Sequence, residues 1–265
     1  MNIFWREMKA YRKSIILWSI GVFLMVVSGM SKYAGLSSSG QSMSDMMADM
    51  PKSMQAIMDV GDLDLNKASG YYGILFLYLL LMAAIHAAML GANIIAKEER
   101  DKTSEFLFVK PLSRTQIITS KLVAALVNLV ILNVVTLISS IVIVGNYSKG
   151  ESVTSDIFMT MVGLLIVQLL FMVIGSAIAS VKRKPKTAGS LSTGILLLTF
   201  VLSIAIDLNE KLEGLKYITP FKYFEAKNVM YGGGLDPVFV LLSAAIIAAL
   251  VTVTYVYFKK RDLNG

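Results

Sequence analysis

Residues 71–96 read YYGILFLYLLLMAAIHAAMLGANIIA, and residues 97–114 follow as KEERDKTSEFLFVKPLSR. The first run carries no Asp, Glu, Lys or Arg and is longer than the roughly 20 residues a helix needs to cross the hydrocarbon core. Its apolar side chains run on without the alternation of a barrel strand, and a helix satisfies every backbone group internally in lipid. The second run breaks off that apolar character at once with charge, then turns aromatic at Phe106 and Phe108.

The same apolar signal recurs along the chain. Six spans are expected, at about Ser14–Ser31, Tyr71–Ala96, Lys121–Gly145, Ile157–Val181, Ala188–Ile206 and Pro237–Phe258. The 265 residues are 55% hydrophobic and only 16% charged, with a mean hydropathy of +0.67. A soluble domain carries about 25% charge, so the fold class is an all-α polytopic membrane protein forming a single transmembrane domain over 1–265. Basic residues precede the first apolar run as in a signal peptide, but no small-x-small cleavage site follows it. It is therefore read as a retained span.

Six spans place both ends of the chain on one side. That side carries seventeen of the 25 basic residues but six of the 18 acids. The excess of Lys and Arg assigns it to the cytoplasm. The basic residues are then a topology signal, scattered over short segments, and no nucleic-acid partner is expected. Residues 2–13, NIFWREMKAYRK, place Phe4, Met8, Tyr11 and Ile15 at helical spacing with Arg6, Lys9, Arg12 and Lys13 on other faces. This predicts an amphipathic helix in the membrane interface ahead of the first span. A plain basic segment that orients the span is the simpler alternative.

Two external segments are expected, 32–70 and 207–236. The first carries Met43, Met46, Met47, Met50, Met54 and Met58 on one helical face, interrupted by Pro51. Methionine fills irregular gaps. The face is read first as packing, then as an adaptable surface for amphipathic cargo, and last as a thioether copper site, which usually recruits Cys or His as well. The second segment mixes rings and lysines around Pro220, Phe221, Tyr223 and Phe224, as a re-entrant or interfacial piece would.

Several chemistries are absent. The chain has no cysteine and one histidine, His86, so neither a metal site nor a triad can be assembled from them. His86, Asn93, Asn128, Asn133 and Gln168 are expected to bond between helices, with a substrate contact as the alternative for His86. No charged residue lies mid-span, where ion-driven carriers place relays. No P-loop, H-E-x-x-H or G-x-S-x-G occurs, and no repeat marks an inverted architecture. The chain is expected not to be an enzyme. Small residues recur at Ala84, Ala88 and Ala92 with Ala87 and Gly91 beside them, at Gly175 and Ala179, and at Ser190 and Gly194. They let helices approach closely, within the chain or between copies.

The charged stretch 97–114 then gains a meaning. Glu98, Glu99, Arg100, Asp101, Lys102 and Glu105 precede Phe106, Leu107 and Phe108; Pro111 ends the helix and Ser113 can cap the next one. A short helix of this kind inserts its apolar end into a groove on a partner, or else it is an ordinary hairpin with membrane-facing rings. The run resembles the coupling segment of ABC-2-type export permeases, E-x-x-x-G-T-x-E-x-L-L-x-x-P-[VIL]-[ST]-R, through Thr103, Glu105, Leu107, Pro111, Ser113 and Arg114, with Lys102 where many relatives have Gly. Thr219, Pro220, Phe221, Tyr223 and Phe224 resemble the family piece before the last span. The resemblance implies the membrane subunit of an exporter in a bacterial plasma membrane, similar to permeases of peptide-toxin and antimicrobial export and immunity. It implies a second permease copy, giving a homodimer, and two separate ABC ATPase subunits that bind ATP and Mg, this chain binding no cofactor. Residues 98–108 would form the coupling helix, with Lys182, Arg183, Lys184 and Lys186 as a second contact. An ATP-independent channel or carrier, or a membrane scaffold or sensor, are the alternatives.

Overall fold

A computed structural model describes residues 3–38, 42–61, 63–101, 112–182 and 185–260. Nine α-helices occur among them: α1 (Ile3–Ser38), α2 (Met43–Ala48), α3 (Lys52–Ile57), α4 (Ala68–Arg100), α5 (Arg114–Tyr147), α6 (Thr154–Val181), α7 (Pro185–Leu208), α8 (Ala226–Val229) and α9 (Pro237–Lys260). Two 3-10 helices, Glu210–Tyr217 and Pro220–Lys222, lie between α7 and α8. Six helices, namely α1, α4, α5, α6, α7 and α9, are long and apolar enough to cross a membrane. The protein is an all-α polytopic membrane protein.

The long helices alternate in direction. One face of the bundle holds Ile3 and Lys260 and is called the terminal face below; the opposite one is the far face. The helix α1 runs unbroken for 36 residues, about 54 Å at 1.5 Å per residue. The expected interfacial stretch and the first span share this one continuous helix. Nothing in residues 3–20 breaks a helix, and Glu7 is fully buried, so the charged N-terminal turns extend the span and pack inward.

The helix α4 is the centre of the bundle and is buried along most of its length. It crosses α6 with backbone against backbone. A Cβ at Gly91 would lie 2.0 Å from the Met172 carbonyl oxygen, and one at Gly175 would lie 2.4 Å from that of Ala88. Ser176 Oγ donates across the crossing to the Gly91 carbonyl at 3.2 Å. The small-residue stripe of α4 thus serves packing within the chain. On the far face, rings of the 207–236 segment turn back into the bundle. Phe221 sits 5.3 Å from the Phe171 ring and 5.2 Å from that of Phe200, and Phe224 is buried against Gly163.

Candidate functional site: a buried charge lock at the terminal face

Five charged side chains from three helices converge where α4 leaves the bundle and α5 enters it. Lys121 lies two turns into α5 and is fully buried. Its Nζ donates to Glu98 Oε2 at 2.6 Å and to the Ile94 carbonyl at 2.5 Å. Glu98 Oε1 accepts from Arg6 Nη2 at 2.5 Å. Arg6 also donates to Glu7 Oε1 at 2.6 Å, and Lys97 Nζ reaches Glu7 Oε2 at 3.4 Å. Lys97 also stands over the Tyr11 ring at 5.6 Å. Two carboxylates thus sit between three cations, and each loses water that only its partners replace. The geometry ties α1, α4 and α5 together at one point.

A second tie lies beside it. Ser113 caps α5, and Ser113 and Gln116 bond reciprocally as a capping box. Arg114 Nη1 donates to the Lys259 carbonyl at 2.7 Å, and the Thr119 and Tyr255 hydroxyls are 2.7 Å apart. The start of α5 is therefore fastened to α4 on one side and to the end of α9 on the other.

The structure places the sequence-predicted coupling residues unevenly. Glu98, Glu99 and Arg100 form the last turn of α4 rather than a separate helix. Glu98 is buried in the lock, Glu99 is half-buried, and Arg100 and Asp101 are exposed. Arg100 donates to Asn93 Oδ1 and to Asp101, each at 3.1 Å. Lys102, Thr103, Glu105, Phe106, Leu107, Phe108 and Pro111 lie outside the described residues, as do Arg183 and Lys184. Lys182 is the exposed C-cap of α6, and Lys186 falls in the first turn of α7. Of the lock's members the sequence reading marks Glu98 alone. Arg6, Lys97 and Lys121 count there only as topology charges, and Glu7 is passed over. Glu7 is the sole acid in the first 44 residues, and this isolation among bases is the signal that could have marked it.

The polar residues within the spans divide. Asn133 donates between helices to the Met161 carbonyl at 3.0 Å, while Asn128 donates back within α5 to the Ala124 carbonyl at 2.8 Å and across to Met8 Sδ at 3.3 Å. Gln168 is fully buried with neither amide atom bonded among the described residues, and His86 Nδ1 is likewise unpartnered. The expected interhelical bonds are absent there; the His86 ring instead packs 5.3 Å from Trp18.

The far face carries a separate ionic cluster outside the spans. Asp59, held at φ 51°, meets Lys227 Nζ at 2.6 Å, while Lys222 joins Asp207 and Glu225. The three carboxylates approach within 4.8 Å of one another, but every one already faces a lysine ammonium, which makes this an ion-pair cluster. Burial, reinforced by the Asp59 charge, pushes the Glu225 carboxyl up to about 7 against the pull of Lys227 and Lys222. Burial also raises Asp59. Desolvation opposes the Lys227 ammonium, yet Asp59 and Glu225 hold it above the usual lysine value. Fully ionised, the cluster has one more acid than base, and protonating Glu225 balances it.

Between the ordinary carboxyl value of 4.5 and about 7, the folded protein holds a proton on Glu225 that the unfolded chain has lost. Stability therefore falls as pH rises through that window. Glu225→Gln, neutral throughout, is expected to flatten this dependence, measured as the unfolding midpoint on either side of neutrality. A variant with the wild-type pH profile would show that Glu225 is not the titrating group.

The fold and the terminal-face lock can be set beside known proteins. The model of the ABC-2 family transporter protein matches residues 1–263. The chain belongs to the ABC-2 transporter family. No curated protein matches it. An ABC-2 permease is the non-catalytic membrane subunit of an ABC transporter and partners with an ABC ATPase. In this ABC-2 permease, the lock and the Arg114 tie flank both ends of the 101–113 connection, which carries the residues that resemble the family's coupling motif.

Proposed function

We propose that this permease is the membrane subunit of an ATP-driven exporter in a bacterial plasma membrane, moving amphipathic peptides, antimicrobial compounds or other apolar cargo. Two copies pair as a homodimer over two ATPase subunits, which hold ATP and Mg. Both termini lie in the cytoplasm, so the terminal face meets the ATPases. Residues 98–108 receive the force, with Lys182, Arg183, Lys184 and Lys186 as a smaller contact.

One observation carries this reading. The two ends of the 101–113 connection spring from helices clamped by Lys121–Glu98–Arg6 and by Arg114–Lys259. A push on that connection is delivered to α1, α4, α5 and α9 together. Spans without mid-membrane charge fit an energy source outside the chain.

The test separates the outer residues from the lock. Glu99→Lys with Asp101→Lys reverses charge at the surface while sparing Glu98. With the partner ATPase, the variant is expected to fold normally but to lose about tenfold or more of cargo-stimulated ATP turnover, the loss of roughly 1.4 kcal/mol of coupling. Unchanged turnover and transport would remove these residues from the coupling role. Transport by the purified chain alone would instead identify a channel or carrier.

A further inference from the structure

We propose that the methionine-walled cavity on the far face binds an anionic single-chain amphiphile, with its head at Lys32 and its chain directed toward Met25. The cavity occupies about 430 Å³ between the far ends of α1 and α4, within the size range of ligand pockets. Five of the methionines carried between 43 and 58 roof it, and Met25, Leu75 and Tyr78 line its membrane side. The sequence reads this methionine face first as packing and next as an adaptable surface; Met43 is buried in the core and Met47 and Met58 pack against it, and all three also border the cavity.

Three observations define the occupant. The walls are mostly apolar; Ser28 Oγ already bonds the Met25 carbonyl at 3.2 Å, which leaves Lys32, Tyr71 and Tyr78 as the side chains able to offer a polar atom. Unbranched, polarisable methionine adapts to a chain whose length and bends vary. The one charged wall residue is Lys32, which has no carboxylate within 4 Å among the described residues, and no wall residue is acidic. Lys32 stands near the end of α1, at the level where a lysine stem lies along apolar surface and its ammonium meets a headgroup. An apolar trough ending at a lone cation is complementary to a carboxylate or phosphate on a hydrocarbon tail. The cavity lies on the opposite face from the lock, and its occupancy is independent of the transport reading.

The experiment uses the full chain in nanodiscs of neutral lipid, titrated with cis-parinarate, a fluorescent long-chain carboxylate, and with its uncharged methyl ester. Wild type is expected to bind the carboxylate saturably, one per chain, and more tightly than the ester. Lys32→Gln, at an exposed position, should weaken carboxylate binding about fivefold, the loss of one interfacial cation, and leave the ester unaffected. Met47→Trp should fill the cavity and abolish saturable binding of both, with Lys32→Gln retaining the ester as evidence that the site itself survives. Equal affinity of wild type for carboxylate and ester, or carboxylate binding unchanged in Lys32→Gln, would overturn the assignment. So would tighter binding of a long-chain trimethylammonium than of the carboxylate.

Discussion

Gly91→Leu is expected to prevent the bundle from closing. At Gly91 the neighbour is the Met172 carbonyl, and a Cβ would stand 2.0 Å from its oxygen and 2.8 Å from its carbon. No rotamer relieves this, because both partners are backbone. The helices α4 and α6 would have to separate, losing the Ser176–Gly91 hydrogen bond and the reciprocal contact of Gly175 with Ala88 and Ala92. In lipid this loss is not buffered by hydrophobic burial, since tails are as apolar as leucine and association rests on close packing and interhelical bonds. Overpacking a close-packed site costs about 3 kcal/mol or more when the backbone itself must move. A collapsed yield of monodisperse protein and a much lower unfolding midpoint are the expected readouts. Gly145 and Gly194, where a Cβ would meet nothing within 4 Å, serve as controls, and alanine there should be silent. A Gly91→Leu protein as stable as wild type would mean that α4 and α6 do not cross as described.

That crossing also shows how far sequence reasoning reaches. The spacing of Ala84, Ala88, Ala92 and Gly175 announces close approach by some helix, since only small residues admit it. It does not say which helix. The choice between a neighbour in the same chain and a second copy depends on the three-dimensional order of the spans, and this is what assigns the stripe to α4 and α6. The spans themselves are legible because transfer of long apolar runs is a property of composition alone. Their ends are less so. The helix α5 begins at Arg114, directly behind the Ser113 cap that the sequence offers, while hydropathy alone would start the span only at Lys121.

The charged residues were legible in number and hidden in role. Arg6, Lys9, Arg12 and Lys13 read as the basic residues on the other faces of an interfacial helix, yet Arg6 turns inward to Glu7 and Glu98 while Arg12 and Lys13 remain exposed. Pairing across 92 residues of chain leaves no local periodicity to read. Glu98 shows the same limit from the other side. Its place in a coupling motif marks it as a surface contact, but its carboxylate is directed into the bundle, so the motif spans a buried anchor and an exposed edge. Polarity alone predicts bonds for His86 and Gln168, yet among the described residues no partner reaches His86 Nδ1 or the Gln168 amide.

Removing the anchor gives the second large effect. Lys121→Ala is expected to destabilise the permease by about 3–5 kcal/mol, because it strips a fully buried cation from Glu98 and leaves that carboxylate with Arg6 alone. Arg6 cannot compensate fully, since its guanidinium is shared with Glu7. The Ile94 carbonyl, inside the last two turns of α4, loses this additional donor too. The paired replacement Glu98→Leu with Lys121→Met removes both buried charges and fills the same space, and hydrophobic replacement of a buried ion pair is often neutral or better for stability. The cycle of these variants therefore separates holding from transmitting. The single variant should unfold at much lower temperature, whereas the double should recover most of that loss yet still couple ATP turnover to cargo poorly. Directional ion pairs fix one register of α1, α4 and α5, and apolar side chains slide. Recovery of stability with full coupling would show that packing alone transmits the force, and a stable Lys121→Ala protein would remove the lock from the fold's supports.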